Sequence, residues 1–554
     1  MSKSEYWQKV LQQRLSRRGL LQAGAVVGGG LWLGSALGCS GSNEEAGATN
    51  KPAAGTTPPA TPLPKRGGTF RAYATAETRS LDPHIETSDG SYITRGYNGV
   101  LKFNPEGTKV VPDLAVSWEQ PDDVTYIFKL NQGVKFHNIP PVNGRELTAE
   151  DVKFSITRQM TNPPGKFTHG DFFIGKVAKI DVVDPYTVKF TTNKPDATFL
   201  NYMANVWTKI VAREAVDQYG ELNDVLIGTG PFMLTKRDKN VEAVMSRNPD
   251  YFKKGLPYLD QINIRLIADS SAQVSAFLAG ELDVLTASIT EKDLVRKAKP
   301  NCPVREGVTV SSFIFRTQPY DDKRPLKPPF DDKRVRNAIQ LAINKQECVD
   351  AVYQGSGVPL VGMIPPDRVP WALPESDMIK QDIPKAKQLL AEAGYPNGFK
   401  AEIYTINLWY YSDTAQVIAD QLAKIGITTE IKQLESAQYY TKMYGFDYQT
   451  TVGAILGSEE PERYLKPYFG ATATNYRWGN PEIQKKIEEQ SGILDVQKRA
   501  QAIHEIQRMI LDDGPLTTLY SPKYTTFYLP RVQNYTPPWQ NADLSYFETI
   551  WLSE

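Results

Sequence analysis

The chain has 554 residues, too many for one ordinary hydrophobic core, so two or three domains are expected. It carries 63 basic and 63 acidic residues, and without residues 1–38 the balance is 58 to 62, a net of −4. That charge leaves no polybasic surface for nucleic acid or an anionic membrane, and three cysteines are too few for a disulfide scaffold.

Residues 1–38 read as an export signal. A basic stretch ends in Ser16-Arg17-Arg18-Gly19-Leu20-Leu21, and Leu20 to Gly38 follows without a charge. The paired arginines resemble a twin-arginine signal. Gly38 before Cys39 resembles a lipoprotein processing site, which would make Cys39 the lipidated first residue of the mature chain. A transmembrane anchor is the alternative reading; either one places the body outside the cytoplasm. Residues 39–65, rich in Gly, Pro, Thr and Ala, cannot bury a core and read as a disordered tether.

The folded body opens with a strand at Gly67 to Ala72. Leu114 to Asn138 reads as two strands around Pro121-Asp122-Asp123, with Trp118, Tyr126, Phe128, Leu130, Val134 and Phe136 at period two. Thr148 is the expected cap of a helix whose first turn holds Glu150 and Asp151. Val177 to Asn193 is a second hairpin turned by Asp184-Pro185, and Ala197 to Tyr219 reads mostly as helix. Gly228-Thr229-Gly230 lacks the rest of any nucleotide-binding fingerprint and reads as a tight turn entering a strand. Ile262 to Ile267 alternates as a strand, and Ser271 to Leu278 is a helix. Farther on, the helix in Asp382 to Phe399 stops at Gly394. A strand at 400–406, a helix at 413–425 and a strand at Gly426 to Ile431 make a βαβ unit, hence an α/β lobe. A helix at 496–511 and a strand at Leu516 to Phe527 close the chain.

Several of these stretches carry a family pattern. They are Leu114-Ala115-Val116-Ser117-Trp118-Glu119, Thr125 to Leu130, Gly133 to His137 and Leu147 to Ser155. Gly228 to Phe232, Arg247 to Phe252, Phe330 to Ile339 and Asp382 to Phe399 repeat the likeness in order. Together they resemble the extracellular solute-binding proteins, family 5, that feed peptide, nickel and related ABC importers. The resemblance covers essentially 66–554. It implies an α/β, two-lobed type II periplasmic-binding-protein fold with an extra inserted domain. Lobe I is expected at 66–105, 222–318 and 519–554, the inserted domain at 106–221 and lobe II at 319–518. It further implies a monomer that captures a solute between its lobes and passes it to an ABC permease and its ATPase complex, with a lipid anchor and without a cofactor or nucleic acid.

The residues themselves give no sign of catalysis. His84, His137, His169 and His504 have no metal-ligand spacing and read as surface or loop histidines, and no nucleophile motif is present. The pairs Asp122-Asp123, Asp321-Asp322, Asp331-Asp332 and Asp512-Asp513 sit beside turn residues and read as solvated turns. Cys302 and Cys348 could pair or stay free. An extracytoplasmic hydrolase therefore lacks its machinery, while a sensor or chaperone of the same fold stays open.

The aromatic run Trp409-Tyr410-Tyr411 follows a strand end, where open α/β sheets place ligands, and is the leading ligand-binding candidate. Glu86, in the loop after Leu81-Asp82-Pro83-His84, is another. Peptide-binding members of the family have a segment like G-W-x-x-D-x-x-x-P, whose Asp pairs with the peptide's amino group. Here the segment runs Gly453 to Pro461, with Ala454 at the Trp and Gly457 at the Asp. An ammonium in a closed cleft needs an anionic partner. Glu459 or Glu460 could supply it. Otherwise, room at Ala454 and Gly457 would suit an oligosaccharide, an opine-type conjugate or a metal chelate.

Overall fold

The alternating segment Thr69–Ala74 forms a strand, but its partner lies nearly two hundred residues away. It pairs in parallel with Gln261–Leu266, Thr69 opposite Gln261, and the sheet continues antiparallel through Glu242–Arg247 to Phe232–Asp238. This is a computed structural model. It describes residues 63–86, 91–161, 169–321, 323–408, 410–471, 473, 476, 478–536 and 544–553. The expected signal, most of the tether, Cys39 and Trp409 lie outside the described residues.

Between the two parallel strands the chain makes a second sheet, ordered Ala115–Asp122, Thr125–Leu130, Thr187–Thr192, Val177–Asp184. Phe128 faces Phe190 edge-on at 5.7 Å, and both belong to the same apolar core as Phe70 and Ile262 of the first sheet. The first hairpin is shorter than the period-two run suggests. Its second strand ends at Leu130, because Gly133 adopts φ 74° and turns the chain. Val134 and Phe136 are still buried, but from a loop held by Leu147 N–H to the Val134 carbonyl. Helix Ala149–Thr161 starts as expected: the Asp151 carboxylate accepts the Thr148 N–H at 2.9 Å.

The expected long helix over 197–219 breaks into Phe199–Met203 and Arg213–Tyr219. Between them, side chains from elsewhere take backbone groups that a helix would use. Gln159 donates to the Trp207 carbonyl at 3.0 Å, and His84 meets the Lys209 carbonyl at 3.0 Å. Ser155 bonds both the N–H and the carbonyl of Val211. The histidines correct another expectation. His84, His137 and His169 are buried, not on the surface, each with its Nε2 on a backbone carbonyl. Gly228 and Gly230 sit where a side-chain carbon would collide with the backbone of Gly96, which is a packing reason for both glycines.

The second lobe is built on a five-stranded sheet ordered Thr428–Leu434, Lys400–Ile406, Thr450–Leu456, Ser311–Arg316, Leu516–Thr518. The first three strands are parallel, and helix Tyr411–Ala423 makes the crossover from Lys400–Ile406 to Thr428–Leu434. Short polar residues start five of its described helices: the carboxylates of Asp332, Asp382 and Asp495 and the amide oxygens of Asn344 and Asn480 each accept a first-turn N–H. Asp332 is thus a cap. Asp513 also departs from the solvated reading, since it takes Trp478 Nε1–H at 2.6 Å and Asn480 at 3.1 Å. Cys302 and Cys348 are both free and buried.

The lobes are joined by the segment expected as one strand over 516–527. Leu516–Thr518 completes the second-lobe sheet. After Leu519, Tyr520–Tyr528 pairs instead with Val284–Ala287, Val304–Val308 and Gly357–Pro359. A small core of its own, including Phe277, Leu285 and Phe527, backs this connection.

Candidate ligand-binding site

The strand Ser311–Arg316 is buried at every position and ends on a cation. Arg316 is 6 % exposed, with its guanidinium 5.7 Å from the Tyr476 ring. The neighbouring strand makes room for it: a side-chain carbon at Gly453 would collide with that guanidinium. Burial works against the charge. The phenol groups of Tyr448, Tyr439, Tyr468 and Tyr411 work for it and hold the net proton affinity of Arg316 above its ordinary value.

Arg316 lines a cavity of about 240 Å³ together with Tyr411, Tyr439, Tyr440, Tyr444 and Ala454. The walls are fixed from behind. Tyr411 packs edge-on to Phe313 at 5.3 Å, the Tyr439 hydroxyl donates to the Val452 carbonyl at 2.8 Å, and the Leu456 N–H donates to Tyr468 Oη at 2.8 Å. Tyr440 and Tyr444 stack at 6.0 Å and are 37 % and 59 % exposed, so two rings remain open to solvent. They project from helix Ser436–Gly445, where Tyr439, Tyr440, Met443 and Tyr444 share a face.

The sequence candidates separate. Tyr411 lines the cavity. Tyr410 has φ 64° and packs its ring on Tyr353 at 4.8 Å. Ala454 contributes to the wall, in keeping with room at that position, but Gly457 does not. A side-chain carbon there would fall inside the Tyr464 ring, so the space expected from the missing Asp is already filled.

Glu459 lines a second cavity, about 340 Å³, with Asp367, Arg368, Trp371, Asn201 and Arg499. Glu460 is buried where the second lobe meets the segment 171–201. It pairs with Arg499, accepts Asn201 Nδ2–H at 2.6 Å and caps the turn Pro461–Tyr464 through Glu462 N–H. Two further ion pairs cross beside it, Arg463 to Asp171 at 2.8 Å and Lys176 to Glu462 at 3.6 Å. Glu86 is buried elsewhere, its carboxylate accepting from Thr78 Oγ1 at 3.0 Å and Ser80 N–H at 2.9 Å, and it lines neither cavity.

Sequence reasoning missed Arg316 and the tyrosines of helix Ser436–Gly445. The tyrosine face was legible in the spacing of Tyr439, Tyr440 and Tyr444. For Arg316 the signal was weaker: a charge closing the apolar run Phe313-Ile314-Phe315.

Comparison with known proteins places the fold that carries these cavities. A di/tripeptide-binding protein 1 of Pseudomonas aeruginosa is 28 % identical over 466 residues, spanning 78 % of this chain and 84 % of the relative. Heme-binding protein A of Haemophilus influenzae is 29 % identical over 484 residues, 81 % of this chain and 86 % of the relative. Among solved structures, the ABC transporter-associated periplasmic binding protein DppA from Helicobacter pylori in complex with peptide STSA has a TM-score of 0.73 at 26 % identity. It covers 88 % of this chain and 99 % of its own. HbpA2 from Haemophilus parasuis aligns with a TM-score of 0.76 at 26 % identity, over 88 % of this chain and all of that one. The two lobes joined by a crossing strand are thus the type II periplasmic-binding-protein fold. The model of the bacterial extracellular solute-binding proteins, family 5 Middle, matches residues 109–476, and the chain belongs to that family.

Proposed function

We propose that this chain captures a small peptide-like solute between its lobes, seats one end of it in the Arg316–tyrosine cavity, and delivers it to an ABC permease and its ATPase complex. The observation that carries the site is the cavity itself. It combines open aromatic rings at its mouth with a buried guanidinium in its lining. At about 240 Å³ it is smaller than the roughly 300–1,000 Å³ typical of a whole ligand pocket, so it suits one end of a ligand whose remainder lies in the cleft. The di/tripeptide-binding relatives favour a peptide-like solute.

Trp409, from the same aromatic run of the sequence as Tyr411, is assigned a further ligand contact, and Glu459 faces the remainder of the ligand from the second cavity. The protein acts as a monomer and performs no chemistry. Its lobes are 66–105, 222–318 and 519–554 against 319–518, with 106–221 as the inserted domain. Residues 1–38 direct export, and lipid on Cys39 tethers the body at the outer face of the membrane, which raises its concentration at the permease.

Native mass spectrometry of the purified chain tests the site. A bound solute is expected, and Tyr411→Ala or Ala454→Trp should each release it while unfolding stays cooperative. Retention of the solute by both variants would move the site elsewhere. For the anchor, Cys39→Ser should shift the protein from the membrane to the soluble fraction.

A further inference from the structure

We infer that the solute presents a carboxylate to Arg316 and needs no free amino group. This rests on the solute-binding reading above and names the chemistry of that same cavity. Among the described residues lining the cavity, Arg316 is the one that carries a charge; the remainder are tyrosines, Met443, Ala454 and Leu456. A guanidinium is a planar fork of donors matched to a carboxylate, and in a water-poor site that charge-assisted pair strengthens. An ammonium in the same place would meet a like charge.

The position that would supply an acid for an ammonium is closed as well, since Tyr464 occupies the space beside Gly457. Glu460 is committed to Arg499 and Asn201, and Glu459 lines the second cavity and not the one that holds Arg316. The stacked rings of Tyr440 and Tyr444 add an apolar, π-rich mouth, which favours a planar or branched apolar group next to the acid. The ligand class is therefore a small organic acid with an apolar body, such as the C-terminal end of a short peptide or an N-acylated amino acid.

Three probes separate the terms by calorimetry on the full chain: Ala-Phe, N-acetyl-Ala-Phe and Ala-Phe amide. The first two are expected to bind within about threefold of each other, and the amide roughly thirtyfold more weakly, the loss expected for one buried charge-assisted contact. Arg316→Met should abolish the preference for acid over amide, and Arg316→Lys should keep part of it. Arg316 is buried, so its variants can fail to fold. The acid-to-amide ratio of the unaltered protein then decides alone.

Equal binding of acid and amide, or a requirement for the free amine, overturns the inference. So does failure of all three probes. A neutral or cationic solute retained through purification would sink the inference and leave the solute-binding reading standing. A protein that retains no solute and binds no acid would lose both.

Discussion

Two glycines decide which side chains the second-lobe sheet can accommodate. Gly453 gives its space to Arg316, and Gly457 gives its space to Tyr464. The sequence shows both residues, but it does not show what fills the room they leave. Gly457 could be read as an opening because its neighbour in space is seven residues on, across a turn. Arg316 was hard to see for the same reason: its surroundings come from Gly453, Tyr439 and Tyr476, brought together only by strand pairing and helix packing. The place of Tyr411 in the cavity wall was legible because it follows a strand end, where open α/β sheets leave their crevices. Gly457→Asp tests the difference between an absent acid and an excluded one. The carboxylate would have to displace Tyr464, and overpacking alone costs about 1–3 kcal/mol. Chemical denaturation should show that loss, with no gain in binding of Ala-Phe amide. An unchanged midpoint with new amine binding would mean the Tyr464 ring moves aside freely.

At the scale of elements, what is local was legible and what is borrowed was not. The strand 400–406 and the helix starts at Asp382 and Asp495 follow from alternation and capping carried within the segment. Among the described residues, the stretch 131–136 alternates but has no strand partner apart from a single bridge at Lys135 to Glu146, so its pattern records burial rather than pairing. The stretch 204–212 is apolar enough for a helix, yet its carbonyls are claimed by Gln159, His84 and Ser155.

The short turn Pro461–Tyr464 has a role that its length would not suggest. Glu462 and Arg463 carry its ion pairs to Lys176 and Asp171, outside the second lobe, and the neighbouring Glu460–Arg499 pair, within that lobe, is nearly water-free at 2 % and 3 % side-chain exposure. Removing one member of such a pair strands the other, at a cost of about 3–5 kcal/mol if it stays buried. Separating the second lobe from the segment that carries Ala197 and Asn201 rehydrates it and avoids most of that cost. Glu460→Gln should therefore speed hydrogen exchange over 196–202 and 460–465 and leave global unfolding less affected. Arg499→Met in the same chain should restore part of the protection. Unchanged exchange would assign the pair to static packing.

For the molecule as a whole, the two lobes bury different titrating groups and should answer pH differently. In the first lobe and the inserted segment packed on its core, burial pulls the imidazoles of His84, His137 and His169 each down to about 4. Between about 4 and their ordinary value of 6.5 the unfolded chain takes up protons that the folded chain refuses. Stability is therefore present above 6.5 and lost as pH falls through that window, on the order of 3 kcal/mol per histidine at its lower end. In the second lobe burial pulls Lys345 down to about 7, where its side-chain nitrogen faces the Leu360 carbonyl at 2.7 Å and Thr518 Oγ1 at 2.8 Å. From about 7 to 10.5 the unfolded chain holds a proton that folded Lys345 has released, so stability rises with pH there. Lys345→Met removes the titrating group but also strips two acceptors of their donor, so its absolute stability is a poor readout. The slope is the clean one. Thermal melts from about pH 7 to 10 should steepen less, or not at all, in Lys345→Met, while the loss of stability between 6.5 and 4 stays as in the parent chain. A variant that keeps the full alkaline rise would show that Lys345 remains charged in the folded lobe, with its two acceptors offsetting the burial.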